Sequence, residues 1–473
     1  MYVEQLYTGC IAVGTYYVES NGEAVIIDPL RDPEPYMVMA AERGANIKYV
    51  FVTHFHADFV SGHVDLARKT GATIVFGPSA KPGYDIHEGT DGEIFKVGGV
   101  ELKLLHTPGH TMESSSWLLF DENGLEHCVF TGDVLFLGDV GRPDLAVKSD
   151  LTQEDLAGHL FDSLRNKIMP LPDRILVYPN HGAGSACGKS MSTDTVDTLG
   201  NQKLTNYALR PDMTKEEFVK EILTGLTPPP QYFPKAAMMN INGTNNFDDV
   251  LAKGMRGLSC AETEVKMAEG FLLLDTRPHE AFQYGYVPGS MSIGLDGIFA
   301  MWVGALIEDI KQPIIVITEK GREQEAVTRL SRVGYDNCQG HLIGGFDAWK
   351  AGGKAIETIQ VVHPRDIKFI QERENGINIV DVRAQGEWEA QHVTMAEHFP
   401  LSRIHFNLDQ LDKSKKMYFH CAAGYRSMMA ITILKNYGYK DENLVNIDGG
   451  FDEILKTDLE VTEYVCPSTT MAT

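Results

Sequence analysis

Residues 53–59 (THFHADF) concentrate metal-binding side chains on one short segment that follows an apolar stretch. The segment supplies His54, His56 and Asp58 in the order H-x-H-x-D, directly after the apolar residues 49–52. In two-metal hydrolases the same run ends in a further histidine, whereas here it ends in Phe59, which offers no metal-binding atom. The segment therefore predicts one metal site with open coordination positions rather than a hydrolytic pair of metals.

Three later motifs each place a further candidate ligand at the end of a predicted strand. Residues 107–111 (TPGHT) carry His110, residues 131–133 (TGD) carry Asp133, and residues 178–182 (YPNHG) carry His181. A lone histidine is usually a structural residue, but polar side chains at strand ends converge on one edge of a sheet. Four such motifs in this order predict a metal site.

A second reactive group lies in residues 417–427 (MYFHCAAGYRS), between a predicted strand and a helical pattern over residues 428–437. A cysteine at a helix N-terminus faces unpaired N–H groups, which favour the nucleophilic thiolate, and Arg426 adds a positive charge near Cys421. The C-x₄-R loop therefore predicts a catalytic Cys421. Cys187 lies in a glycine-rich loop after His181, and it is either a secondary thiol near the metal or a structural residue.

The elements that position these residues follow from the hydrophobic pattern. Strands are predicted over residues 10–18, 24–28, 50–52, 73–76, 102–105, 116–120, 129–131 and 175–178, and helices over residues 35–43, 60–70 and 153–166. This alternation indicates a layered α/β domain. Residues 227–234 (TPPPQYFP) contain four prolines and predict a linker after it.

Beyond that linker the sequence repeats itself after about 105 residues. Residues 273–277 (LLDTR) return as 379–383 (IVDVR), and residues 344–347 (GGFD) return as 449–452. Two tandem copies of one small α/β domain are therefore predicted. Aligning Arg322 with Arg426 places Ile317 where Cys421 stands, and a one-residue gap places Thr318 there; neither side chain carries sulfur, so the first copy is predicted to be inactive.

Length and composition limit the number of domains, the kinds of partner and the cellular location to be expected. A chain of 473 residues suggests about three domains, and a formal charge of −23 argues against nucleic acid or an anionic membrane as partner. The N-terminal segment lacks the pattern of a signal peptide, and no apolar run approaches the ~20 residues that cross a bilayer. Seven cysteines without a C-x-x-C pair favour free thiols. A cytoplasmic protein is expected.

The four metal motifs resemble those of the metallo-β-lactamase superfamily, which implies an αββα sandwich over residues 1–240. Within that superfamily they are similar to the persulfide dioxygenases, whose iron is held by two histidines and one aspartate. The resemblance implies one Fe(II) per chain at His54, His110 and Asp133. Two imidazoles and a carboxylate leave three coordination positions of the iron open for O₂ and substrate. Zinc is the alternative metal.

The resemblance also assigns the neighbouring polar residues. His56, Asp58 and His181 are expected beside the metal, or as ligands of an alternative second metal. Residues 141–144 (GRPD) resemble the family's Gly-Arg-x-Asp segment near the substrate. Arg142 either pairs with a substrate anion or holds Asp144, and both alternatives stay open.

The loop from Cys421 to Arg426 resembles that of rhodanese-type sulfurtransferases. Related phosphatases have five residues between cysteine and arginine, whereas the four found here suit a sulfane sulfur. The resemblance implies an active rhodanese domain over residues 360–465 and an inactive rhodanese-like copy over residues 258–353. Packing, dimer formation and positioning of the third domain are the roles expected for that copy.

The domain order resembles that of bacterial persulfide dioxygenase–rhodanese fusions of sulfide detoxification. That resemblance implies oxidation of a low-molecular-weight persulfide by O₂ to thiol and sulfite, with sulfur exchange between sulfite and thiosulfate through Cys421. The rival hypothesis is a zinc-dependent thioester or lactone hydrolase fused to a sulfurtransferase. The substrate thiol, the direction of sulfur flow and a homo-oligomeric state are left open.

Overall fold

The computed structural model describes residues 1–146, 151–374 and 376–466. The chain divides into two compact units. One comprises Met1–Asp249 with Leu330–Asp336, and the other comprises Val250–Arg329 with the residues from Asn337 onwards. Among the described residues, no helix is both long enough and apolar enough to cross a membrane.

The first unit contains two six-stranded sheets. In each sheet the strands lie side by side in chain order. The first sheet consists of β1 (Tyr2–Thr8), β2 (Val13–Ser20), β3 (Glu23–Ile27), β4 (Asn46–Phe51), β5 (Thr73–Phe76) and β6 (His87–Glu88). The second consists of β7 (Ile94–Val97), β8 (Val100–His106), β9 (Ser115–Phe120), β10 (Glu126–Gly132), β11 (Leu176–Pro179) and β12 (Asp197–Thr198).

The two sheets pack face to face because both of their surfaces are apolar. Phe51 of β4 stacks on Trp117 of β9 with ring centroids 3.8 Å apart, in the core shared by the two sheets. Successive side chains of a strand point to opposite faces, so Tyr16 enters this core while Tyr17 packs under a helix. Helices α1 (Glu34–Glu42) and α2 (His63–Thr70) cover the first sheet, and α3 (Gln153–Ser163) covers the second. The αββα expectation is confirmed.

Four further helices follow β12 in the chain. They are α4 (Leu199–Thr205), α5 (Lys215–Leu223), α6 (Phe233–Asn242) and α7 (Phe247–Gly254). The linker predicted over residues 227–234 is too long, because α6 begins at Phe233 with Pro234 in its first turn. Proline is tolerated there, since the first N–H groups of a helix have no intrahelical acceptor.

The second unit contains two five-stranded parallel sheets of the same strand order. The first has β13 (Gly257–Leu258), β14 (Leu272–Asp275), β15 (Met291–Ser292), β16 (Ile314–Ile317) and β17 (Cys338–Leu342). The second has β18 (Gln360–Val362), β19 (Asn378–Asp381), β20 (Glu397–His398), β21 (Met417–His420) and β22 (Leu444–Ile447). Their helices are α8 (Cys260–Ala268), α9 (His279–Gln283), α10 (Phe299–Leu306), α11 (Glu323–Arg332), α12 (Gly345–Ala351), α13 (Ile367–Arg373), α14 (Gln385–Ala390), α15 (Ile404–Asn407), α16 (Tyr425–Asn436) and α17 (Gly450–Ile454).

The duplication extends to individual contacts. Arg277 pairs with Asp275 and Arg383 pairs with Asp381, each at 2.6 Å, and each guanidinium also donates to a backbone carbonyl eight residues further on. The strands are parallel, so the residues that follow them gather at one edge of each sheet. The limits 1–240, 258–353 and 360–465 stay predictions.

Candidate metal centre and sulfur-transfer site

The H-x-H-x-D turn is held by Asp28, which follows β3 beside the end of β4. The Asp28 carboxylate accepts hydrogen bonds from the Thr53 amide and the Thr53 hydroxyl, both at 2.8 Å. His56 Nε2 lies 3.0 Å from the same carboxylate. Asp28 has a φ of 51°, a left-handed conformation that is uncommon outside glycine. This backbone conformation turns its side chain towards the segment that carries the histidines.

Helix α6 holds the same turn from the other side. The Asn240 side-chain amide donates to the carbonyls of His56 and Phe59, both at 2.8 Å. The Tyr232 hydroxyl, just before the helix, donates to the carbonyl of Asp58 at 2.9 Å. Contacts from about 180 residues along the chain therefore fix the backbone of the turn.

His54, His110 and Asp133 meet where three strands end. They follow β4, β8 and β10 respectively, and all three are buried. Asp133 Oδ2 lies 3.8 Å from His54 Nε2 and 3.5 Å from His110 Nε2. One ligand atom from each residue lies within 4.8 Å of the other two. The structure thus brings together the ligand set expected from the sequence, and its metal binding stays a proposal.

Neighbouring groups orient the two imidazoles. His110 Nδ1 donates to the Arg142 carbonyl at 2.8 Å, and His54 Nδ1 lies 3.0 Å from the Thr53 hydroxyl. Each ring therefore turns its Nε2 towards Asp133. Burial, together with His56 and His110, lowers the pKa of His54 well below its ordinary value, so this ring is neutral and able to bind a metal.

The Asp133 carboxylate is the strongest sign that the set fits a cation. Neither of its buried oxygens has a hydrogen-bond partner among the described residues. A buried unpaired carboxylate is costly, and a divalent cation next to two imidazole lone pairs would satisfy it. The donor set of two nitrogens and a carboxylate suits iron(II), and it also accepts zinc.

His56 lies beside this set rather than in it. Its Nε2 bonds Asp28, its Nδ1 lies 3.3 Å from the Asn180 amide, and its ring stacks on Phe59 with centroids 4.3 Å apart. Burial acts to lower the pKa of His56, but the carboxylates of Asp28, Asp58 and Asp133 together outweigh burial and the net shift is upward. Both ring nitrogens of His56 are thus engaged, and its expected place beside the metal stays a prediction.

The Arg142 guanidinium is engaged by Asp144 of its own loop and by backbone carbonyls of two other segments. It donates twice to Asp144 at 2.7 Å and once to the Thr227 carbonyl at 2.7 Å, and the side chain is buried. Of the two alternatives left open by the sequence, these contacts favour the loop-holding role. The neighbouring Gly141 packs against Asp133, since a Cβ there would lie 1.9 Å from the Asp133 carbonyl oxygen.

Asp58, His181 and Cys187 form a second buried group. His181 Nε2 lies 3.5 Å from Asp58 Oδ2 and 3.5 Å from Asp133 Oδ1. Burial, Asp58 and Asp133 together raise the pKa of the Cys187 thiol well above its ordinary value. The thiol that the sequence left undecided thus lies beside the metal-binding region.

Cys421 lies in the loop between β21 and α16. Its sulfur accepts a hydrogen bond from the Gly424 amide at 3.1 Å, and the Ser427 hydroxyl lies 3.8 Å away. The Arg426 guanidinium is held by Glu387 through two hydrogen bonds of 2.5 and 2.7 Å, and its charge interacts with Cys421. The loop and the start of the helix thus surround the sulfur with donors and positive charge.

Strand pairing resolves which residue of the first copy corresponds to Cys421. Ile317 and His420 each lie opposite the aspartate that ends the neighbouring strand. The residues that follow them, Thr318 and Cys421, are therefore equivalent, and the alignment with a one-residue gap is the correct one. A threonine hydroxyl cannot carry a sulfane sulfur.

A cavity of about 500 Å³ adjoins the Cys421 loop. The Tyr425 hydroxyl donates to the Gly294 carbonyl at 2.8 Å at its wall, which joins the two copies. Most of the lining comes from the first copy, namely Pro278, His279, Glu280, Gly294, Asp296, Gly297, Ile298 and Trp302, with Tyr425 and Arg426 from the second. The copy that has Thr318 at the position of Cys421 therefore shapes the surroundings of the Cys421 loop.

Sequence reasoning missed three residues that hold the metal centre: Asp28, Thr53 and Asn240. Asp28 closes an apolar strand just before a proline, and this strand-end position could have marked it as a partner of the site. Thr53 directly precedes the first histidine of the motif. No local pattern marks Asn240, because its role depends on where α6 packs.

Two family descriptions match the sequence. "Metallo-beta-lactamase superfamily" matches residues 8–181, and "Rhodanese-like domain" matches residues 260–352 and 366–457. The crystal structure of a metallo-beta-lactamase from Staphylococcus aureus shares 32% identity at a TM-score of 0.63, and the match covers 72% of this chain and 98% of that one.

Curated relatives include both hydrolases and an oxygenase. The probable hydroxyacylglutathione hydrolase glo2 of Schizosaccharomyces pombe is 32% identical over 172 residues, which are 36% of this chain and 62% of that protein. The human mitochondrial persulfide dioxygenase ETHE1 is 31% identical over 244 residues, which are 50% of this chain and 87% of that protein. The match thus spans less than two thirds of the fission-yeast hydrolase.

Proposed function

This chain belongs to the metallo-beta-lactamase superfamily and carries two rhodanese-like domains after that domain, and on this premise we propose that it oxidises a low-molecular-weight persulfide. The overall reaction converts a persulfide, O₂ and water into a thiol, sulfite and two protons. The second rhodanese-like domain then exchanges sulfane sulfur between sulfite and thiosulfate. The similarity to human persulfide dioxygenase supports this proposal, and the similarity to the hydrolases supports the rival given below.

The observation that carries the proposal is the set of His54, His110 and Asp133 next to Phe59. Two imidazoles and a carboxylate with unpaired oxygens would hold one iron(II) and leave positions for two small reactants. Bound there, iron(II) would supply the activation of O₂ that the oxidation of the terminal sulfur requires. Phe59 occupies the position where a histidine would complete a nitrogen-rich second site.

The protein's own residues prepare this site before any reactant arrives. Thr53 and the Arg142 carbonyl fix the two ring orientations, and Asp28 and Asn240 fix the backbone between them. The ligand side chains are at most 2% exposed, so the site is shielded from bulk water. Such pre-organisation limits the loss of a reactive intermediate to solvent.

Cys421 performs the second reaction in this proposal. Its thiolate attacks the outer sulfur of a second persulfide, whose S–S bond breaks and releases the thiol, and the sulfur of sulfite then attacks the outer sulfur of the Cys421 persulfide. The Cys421 S–S bond breaks, its electron pair returns to the Cys421 thiolate, and the new S–S bond is that of thiosulfate. The Gly424 amide and the Arg426 charge stabilise the anionic sulfur in either direction.

The rival function is a zinc-dependent thioester or lactone hydrolase with a sulfurtransferase attached. It is favoured by the second group of Asp58, His181 and Cys187, which lies beside Asp133 as a two-metal hydrolase would require. An oxygen electrode separates the two functions. Protein loaded anaerobically with iron(II) should consume O₂ with at least one persulfide from a panel of glutathione, coenzyme A and bacillithiol persulfides.

One combination of results would contradict the dioxygenase proposal. Protein that binds iron(II) but takes up no O₂ with any of these persulfides, while zinc-loaded protein cleaves a glutathione thioester, is a hydrolase. Metal content is measured on the same samples, so that a failure of loading is not mistaken for a failure of catalysis.

A further inference from the structure

A histidine of the first copy reaches the loop that carries Cys421. His279 begins α9 and lines the cavity of about 500 Å³ beside that loop. A Cβ added to Gly424 would lie 3.1 Å from His279 Nε2, so this ring nitrogen lies next to the residue whose amide donates to the Cys421 sulfur. The ring also meets the Tyr425 ring edge-on, with centroids 6.1 Å apart. The first copy thus places an imidazole at the reactive loop of the second.

The other nitrogen of this imidazole has a partner in its own helix. His279 Nδ1 lies 3.2 Å from a carboxylate oxygen of Glu280, and the histidine is partly buried. A histidine whose Nδ1 carries its hydrogen towards a carboxylate presents the lone pair of Nε2 on the opposite side of the ring. The Glu280 contact therefore favours the tautomer in which Nε2 can accept a proton beside the Cys421 loop.

The remaining groups of the cavity are poor proton acceptors for a thiol. Among the described residues, the other titratable side chains that line it are Glu280, Asp296, Tyr425 and Arg426. Asp296 pairs with Arg322 at 3.1 Å, and Glu387 holds Arg426. The Tyr425 hydroxyl donates to the Gly294 carbonyl, and burial raises its pKa. Carboxylates are weak bases, and tyrosine and arginine keep their protons near neutral pH. Histidine is the side-chain type that takes up a proton under these conditions.

We propose that His279 is a catalytic residue of the second copy, the general base that deprotonates a low-molecular-weight thiol when that thiol accepts sulfur from Cys421. This step rests on the sulfur transfer proposed above for Cys421. Near neutral pH only a few per cent of a free thiol is ionised, and the thiolate is the nucleophile. A base beside the loop supplies the thiolate where it reacts. Sulfite attacks through a lone pair of its sulfur and needs no such base.

The thiol proton passes to His279 Nε2, and the thiolate attacks the outer sulfur of the Cys421 persulfide. The S–S bond to Cys421 breaks, its electron pair returns to the Cys421 thiolate, and the acceptor leaves as a persulfide. His279 then releases the proton to solvent. In the opposite direction, when a persulfide loads Cys421, protonated His279 gives a proton to the departing thiolate. His279 therefore serves the thiol half of the exchange and not the sulfite half.

Single-turnover transfer from loaded full-length protein tests this step. Thiosulfate loads Cys421 under argon, which keeps O₂ from the metal centre, and the thiosulfate is then removed. The protein is mixed with glutathione or with sulfite, and the persulfide left on Cys421 is measured by alkylation and mass spectrometry. His279→Gln introduces the residue that Gln385 provides at the equivalent position of the second copy. It should slow transfer to glutathione by about 10- to 30-fold near neutral pH, because so little of the thiol is ionised. Transfer to sulfite should not change.

Two further measurements separate a base from a merely structural residue. With para-nitrothiophenol, which is already ionised, His279→Gln should react at the wild-type rate. With glutathione, the deficit should close as the pH rises above the ordinary thiol pKa of about 8.5. The matched control is His341→Gln, which changes the other histidine of the first copy at a position outside the cavity lining. This control should equal the wild type with all three acceptors.

Transfer to glutathione at the wild-type rate in His279→Gln would overturn the proposal. Equal slowing with glutathione, para-nitrothiophenol and sulfite would overturn it as well, since that pattern indicates a displaced loop. Wild-type protein that takes up no sulfur on Cys421 would remove the sulfur transfer itself, and this step with it. Circular dichroism checks that each variant is folded.

Discussion

Asp28 connects several parts of the metal centre without belonging to either ligand group. Its carboxylate is shared by the Thr53 amide, the Thr53 hydroxyl and His56 Nε2. Thr53 in turn lies against the Nδ1 of His54. A residue that sets the orientation of a ligand in this way contributes to metal affinity although it never touches the metal.

We therefore expect Asp28→Asn to weaken iron binding by about 10- to 100-fold. The amide presents one acceptor oxygen in place of two, so it cannot serve the Thr53 amide and hydroxyl as the carboxylate does. Iron retention against a competing chelator measures the effect. The matched control is Asp212→Asn at an exposed position, which should retain iron as wild type does. A folded Asp28→Asn variant with wild-type iron affinity would contradict the orienting role.

Cys421 carries the second proposed reaction alone, because Thr318 occupies its position in the first copy. Cys421→Ser should therefore consume O₂ with a persulfide at the wild-type rate and form no thiosulfate. Oxygen uptake and thiosulfate are measured in the same reaction. The control is Cys338→Ser, which changes another buried thiol and should leave both readouts intact. Unchanged thiosulfate from Cys421→Ser would sink the assignment.

At the scale of the elements, both sites lie where strands end. Three strand ends of one sandwich bring His54, His110 and Asp133 together, and the end of β21 carries Cys421. Side chains at such positions can contact a ligand at the edge of the sheet while the strands behind them stay packed. The arrangement lets a rigid core hold the reactive residues on short loops.

Much of this could be predicted from the sequence, because strand-end motifs are local. Each expected ligand, and likewise Cys421, is signalled by a short contiguous motif of its own. The support of the turn by Asn240 could not be predicted, since it depends on how α6 packs about 180 residues later. The equivalence of Thr318 and Cys421 could be established only from the strand pairing, because the sequence allows two alignments of the copies.

Helix α17 constrains the Cys421 loop through a glycine. Gly450 has a φ of 62°, and a Cβ there would lie 2.5 Å from the carbonyl oxygens of Cys421 and Ala422. Gly450→Ala should therefore shift the loop, reduce sulfurtransferase activity at least tenfold and lower the free energy of unfolding by ~1–3 kcal/mol. Thermal unfolding and a thiosulfate sulfurtransferase assay measure the two effects.

The matched control for that substitution is Gly438→Ala. Gly438 has a φ of 81°, but a Cβ there would meet no atom of the described residues within 4 Å. The control therefore imposes backbone strain of ~1–2 kcal/mol without pressing on the loop, and it should keep its sulfurtransferase activity. Equal losses of activity in both variants would show that strain, rather than contact with the loop, is responsible.

At the scale of the whole molecule, the two proposed reactions share sulfite and would take place in one chain. Covalent linkage raises the effective concentration of each site for the product of the other. Within the second unit, the duplication has a further consequence. The first copy has Thr318 at the position of Cys421, but its residues line most of the cavity beside the Cys421 loop.

That cavity predicts a role for the first copy in binding the organic part of a thiol acceptor. Its lining includes the aromatic rings of Trp302 and Tyr425, and its volume of about 500 Å³ exceeds what thiosulfate needs. Trp302→Ala should raise the KM for a thiol acceptor by about tenfold, equivalent to ~1.4 kcal/mol of lost binding, with kcat nearly unchanged. With cyanide, which has no organic part to bind, the KM should not change.

The control is Tyr284→Ala in the same copy, because Tyr284 is 77% exposed and lies outside the cavity lining. This variant should keep wild-type constants with both acceptors. Oxygen uptake with a persulfide should be the same in all three proteins, since the metal centre is unaltered. If Trp302→Ala raised the KM for thiol and cyanide equally, a general distortion of the loop would explain it. If it changed neither constant, the cavity would have no part in acceptor binding, and the first copy would be retained for packing alone.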